Sequence, residues 1–98
     1  MNSGVGVIPN ASDVIAVVKR KWEDSRQKNI GYVKLHVVSA NDYKGMPNFL
    51  KEETGKEIDI TVSKEDLDFF KDTVNVLISF IGDEKQQQFY TARRKPED

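Results

Sequence analysis

Aromatic and cationic side chains interleave in two neighbouring stretches of this chain, and that mixture is the nearest the sequence comes to chemistry. Lys19, Lys21 and Trp22 close one segment, and Tyr32, Lys34 and His36 fall on alternate positions of the next. Proteins that hold single strands of nucleic acid use cations for the phosphates and flat rings for the bases, each stack worth about 1–3 kcal/mol. Arg26 lies in the polar stretch between the two segments, and Arg93, Arg94 and Lys95 extend the basic set near the other end. A plainer reading competes with this one. Tyr32, Lys34 and His36 also suit an ordinary solvated strand face, and Trp22 suits an anchor at one end of a core. Glu57 and Asp59 count against phosphate, because they fall on the outward face of a neighbouring strand.

Other chemistries find less support. His36 is the single histidine and stands among valines, with no nucleophile or paired carboxylate arranged around it. With no cysteine and one histidine, only carboxylates remain as metal ligands. Glu52, Glu53, Glu57, Asp59, Glu65, Asp66 and Asp68 lack the alternate-position spacing of a calcium loop. Gly4 and Gly6 precede no helix start of the phosphate-loop kind. The expectation is therefore a protein with no catalytic residue, no metal site and no cofactor.

Whatever does the binding must be positioned by one small domain. The chain has 98 residues, enough to bury roughly 60–65% of the surface its unfolded form exposes. Charged residues make up 32% and hydrophobic ones 38%, a balance that fits a well-solvated globule. No apolar run approaches the about 18 residues of a membrane helix, and no basic-then-apolar leader is visible at the start. The absence of cysteine removes disulfides and makes a reducing cytoplasm the expected address. Net charge is −1, with 7 Lys/Arg against 4 Asp/Glu in residues 1–50 and 8 against 12 in 51–98. A total so near neutrality exerts no global pull on nucleic acid, so any attraction must be local.

Periodicity then places the elements. Residues 1–11 read as a flexible lead-in, 12–94 as the single domain, and 95–98 as a loose tail. Ser12 to Trp22 has two readings. Its run of β-branched residues favours a strand, while Ser12 as N-cap with Ile15, Val18 and Trp22 on one face fits a helix. Tyr32 to Val38 alternates, with Val33, Leu35 and Val37 to one side. Asn41 to Gly55 is a long connection in which Phe49 or Leu50 caps the core. Glu57 to Val62 alternates again with Ile58, Ile60 and Val62 inward. Ser63-Lys64-Glu65-Asp66 has the form of a capping box, opening a short helix whose Leu67 and Phe70 plug the core. Thr73 to Ile81 points Val74, Val76, Ile78 and Phe80 inward and Leu77 and Ile81 outward. Gly82 to Lys85 then turns the chain into a last strand, Gln87 to Arg93.

Three strands, a short helix and two strands make a mainly β fold that resembles the OB-fold, a small five-stranded barrel with its helix between strands three and four. The resemblance spans residues 12–94 and lies in order and spacing. It implies an oligonucleotide- or oligosaccharide-binding face on strands two and three, flanked by the loops EDSRQKN and GDEK. A helical Ser12–Trp22 would make the chain a four-stranded α+β domain instead. The functional expectation is a non-catalytic module binding single-stranded nucleic acid. The alternative is a protein-interaction subunit or homodimer using an exposed Leu77 and Ile81, with no nucleic-acid role.

Overall fold

The segment with two readings is extended. Ser12–Glu23 forms β1, the β-branched run outweighing the helical spacing, and the α+β alternative falls with it. A computed structural model describes residues 9–82 and 88–96. Its further strands are β2 (Ile30–Asp42), β3 (Glu57–Ser63), β4 (Thr73–Gly82) and β5 (Gln88–Arg94). They close a barrel in the order β1-β2-β3-β5-β4. Neighbours are antiparallel except β3 and β5, which run parallel through only two register pairs, Ile60 with Tyr90 and Thr61 with Thr91. The mixed, closed, five-stranded barrel is compatible with the expected OB-like arrangement. Asp83, Glu84 and Lys85 of the expected β4–β5 turn lie outside the described residues, as do 1–8 of the expected flexible lead-in.

Alternation fills the interior as expected. Val33, Leu35 and Val37 from β2, Ile58, Ile60 and Val62 from β3, and Val74, Val76 and Ile78 from β4 are all buried in one cluster. Val14 and Ala16 join from β1, and Leu50 closes one end while Phe49 stays exposed. β1 pairs with β2 along its length and with β4 through Ser12–Val17, so this one long strand serves both neighbours. Its register with β2 slips twice, leaving Val38 and Lys19 as extra, unpaired residues. A bulge of this kind bends the strand and shifts its alternation by one. Before Lys19 the even positions of β1 face inward; after it Arg20 and Trp22 face out and Lys21 turns under the barrel.

The other end is closed by a six-residue 3-10 turn, Lys64–Phe69. Phe70 follows it and is 1% exposed, and Leu67 packs against the same cluster. Leu67 has room because residue 31 is glycine: a Cβ there would stand 2.7 Å from Leu67 Cγ. The expected capping box does not form. β3 stays extended through Ser63, whose side chain makes no cap bond, and the Lys64 N–H instead donates to the Asn29 carbonyl at 2.9 Å.

Two boundary expectations change. Asn10 and Ala11, expected in the lead-in, are both buried. The Asn10 carboxamide does the work of a strand residue, accepting from the Phe80 N–H at 2.8 Å and donating to the Phe80 carbonyl at 2.9 Å. In the expected tail, Lys95 Nζ lies 2.8 Å from the Asp13 carboxylate. The outward Leu77 is also corrected. It lies outside the core cluster but is 0% exposed within the single chain, so it offers no surface to a partner; Ile81 is half-buried.

Candidate functional site

Two rows of side chains cross the outer face of β1, β2 and β3, and the Lys19 bulge sets their phase. One row runs Trp22–Tyr32–Thr61 and the next Arg20–Lys34–Asp59. The Trp22 and Tyr32 rings meet at 5.7 Å between centroids with 32° between planes, and the Arg20 guanidinium lies 5.0 Å from the centre of the Trp22 ring. A guanidinium over an indole is the favoured cation–π pair.

The β1–β2 loop is tied to this row by one carboxylate. Asp24 Oδ1 accepts from the N–H groups of Arg26 and Gln27 at 2.7 and 3.0 Å, and Oδ2 accepts from the Tyr32 hydroxyl at 2.5 Å. The Tyr32 hydroxyl first, then the two amides, hold the Asp24 carboxyl below the ordinary aspartate range, and the same bond raises the Tyr32 phenol. At Asp13, burial pushes the carboxyl up, but hydrogen bonds from Lys95 and Asn75 and the Lys95 charge outweigh it, so it too is lowered. A carboxylate depressed in the fold stabilises it above the unfolded-state value and loses that contribution as pH falls below about 4. Asp24→Asn is therefore expected to melt lower than the native chain at neutral pH and to lose less on acidification. Melting curves across the acid range check this; an unchanged acid loss would remove Asp24 from the account.

Beside the two register pairs that join β3 and β5 lies an open groove of about 570 Å³. Trp22 and Tyr32 line one wall, Phe80, Phe89 and Tyr90 the other, and Ile58 to Thr61 of β3 the floor. Phe80 packs edge-on to Tyr90 at 5.3 Å and to the exposed Phe49 at 5.9 Å, so the aromatic surface continues past the groove's far end. Burial, with the Glu53 charge adding to it, pushes the Tyr90 phenol up. Both groove phenols thus stay protonated at neutral pH, as donors without charge.

Comparison of the chain with protein-family models, with curated proteins and with solved structures finds no match.

Of the residues singled out from sequence, the fold brings together Trp22, Tyr32 and Lys34, with Arg26 in a shallow hollow beside the Trp22–Tyr32 pair. Lys34 is 2.9 Å from Asp59. His36 lies further along β2 opposite Glu57, and Lys19 is the exposed bulge residue. Lys21 is a correction. Its ammonium donates to the carbonyls of Leu67 at 2.8 Å and Phe70 at 3.1 Å, holding the 3-10 turn rather than facing the groove. Arg93 and Arg94 are not among the residues that line the groove. Arg93 stands opposite Leu77, and Arg94 lies over the Phe69 ring at 5.4 Å and 4.0 Å from Asp66, in a separate hollow with Asn75, Lys95 and Pro96.

Sequence reading missed Arg20, Phe80, Phe89 and Tyr90. Arg20 and Trp22 are two apart and so share a face of any strand, a signal that was there to use. Phe80, on the expected inward face, is half-buried and lines the groove. Among the described residues no group of three or more His, Cys, Asp or Glu could hold a metal ion, and no helix is long and apolar enough to cross a membrane.

Proposed function

We propose that this barrel is an OB-fold that binds single-stranded nucleic acid, without catalysis, in the groove between β3 and β5. The observation that carries the reading is that both walls of the groove are aromatic, Trp22 and Tyr32 facing Phe80, Phe89 and Tyr90. Unpaired bases expose flat apolar faces, and stacking on such rings needs no particular base identity. Among the described residues, Arg20 and Arg26 flank the Trp22–Tyr32 pair and bring cations to that end. Phosphates run along that rim while bases turn in towards the rings. A duplex hides its base faces and has nothing to offer the walls. The Asp24 bonds fix the loop and the Tyr32 ring beforehand, so little ordering remains to be done on binding.

Trp22 is the single tryptophan and lines the groove, which makes it a built-in reporter. Titration with oligothymidylate at low salt is expected to quench its fluorescence saturably, and added salt to restore it. An unchanged emission at micromolar protein would sink the proposal.

A further inference from the structure

The row Arg20–Lys34–Asp59 places two cations side by side and a carboxylate at the groove floor. Opposed like charges on neighbouring strands repel. Each cation here has found a partner: Arg20 the Trp22 ring and Lys34 the Asp59 carboxylate at 2.9 Å. Lys34 is thus occupied where a groove-bound strand would pass, and Asp59, more than half exposed, presents negative charge to the same space. The next register pair along the two strands is His36 opposite Glu57. Nothing in the barrel's packing requires an acid at 59, since the position faces outward and the core closes beneath it through Ile58 and Ile60.

We propose that Asp59 is a specificity-determining residue of the groove: by holding Lys34 it withholds a cation from phosphate, so that ligands are chosen by their base faces. This rests on the nucleic-acid reading of the groove. A duplex, which can offer only phosphates, meets a neutralised floor. A single strand still gains the rings. Asp59 is more than half exposed and Lys34 about a third, and ion pairs so open to solvent are weak, so Asp59 penalises phosphate without locking the site.

The test is Asp59→Asn, which keeps the shape and removes the charge. Native and variant proteins are titrated into a fluorescein-labelled oligothymidylate of about 16 nucleotides and into a labelled duplex of equal length, across a salt series. The variant is expected to hold the single strand about 3- to 10-fold tighter, with a log–log salt slope steeper by about 0.7. The duplex is expected to gain by a larger factor than the single strand. Lys34→Gln placed on top of Asp59→Asn is expected to cancel the gain. Unchanged or weaker binding by Asp59→Asn, in a protein that still melts cooperatively, overturns the role of Asp59 while leaving the groove intact. A gain that survives Lys34→Gln overturns the withholding of Lys34. If the native chain binds neither oligonucleotide, the groove reading fails, and the role of Asp59 fails with it.

Discussion

Replacing Phe70 with alanine is expected to lower the free energy of unfolding by about 3–5 kcal/mol. The ring is 1% exposed and is among the largest fully buried side chains in the barrel, at the end that no strand crosses. Phe69 meets the ring edge-on at 5.4 Å from the outside, and the Phe70 carbonyl is pinned by Lys21. A domain of this size has roughly 5–15 kcal/mol in total, and each kcal/mol is about 4–8 °C of melting temperature. The variant should therefore melt tens of degrees lower or fail to fold near 37 °C. Thermal unfolding followed by circular dichroism measures this directly. A loss below about 1 kcal/mol would mean that the 3-10 turn is an ornament and the strands close the barrel unaided.

The largest functional effect is expected from removing one ring from each wall of the groove. Trp22→Ala and Phe89→Ala should each weaken oligonucleotide binding by about 1–3 kcal/mol, the measured worth of a base–aromatic stack. Combined, they should weaken it about 30-fold or more. Neither side chain belongs to the buried core, and Phe89 is 39% exposed, so the fold should survive both changes. Because the indole is lost, anisotropy of a labelled oligonucleotide is the suitable readout. A folded double variant binding within about threefold of the native chain would place the ligand elsewhere.

Much of this architecture was legible in the chain because period-two alternation is a local property. β2, β3 and β4 each bury alternate residues against one core, and a chain that small leaves little choice of partner. The same rule misled where geometry was not local. Lys19 inserts one residue into β1, and from there the unbroken alternation gives the wrong face for Lys21. Leu77 does point away from the core cluster, but burial by other parts of the chain cannot be seen in alternation. Ser63 carries the letters of a capping box and the extended backbone of an N-cap, yet the turn that follows is 3-10 and the serine side chain makes no cap bond. Half of the groove was legible, the half built by adjacent strands in sequence order. The Phe80, Phe89 and Tyr90 wall depends on β5 lying parallel to β3, a long-range pairing that no short window contains.

Asn10 gives the design of any derivative of this protein a practical constraint. Its amide completes the β4 ladder at Phe80, and Phe80 is part of the far wall. A tag junction, a protease cut or a trimmed start falling just ahead of Ser12 would therefore be felt at the groove wall, on the opposite side of the sequence. Versions made for binding work should keep Pro9, Asn10 and Ala11 as they are.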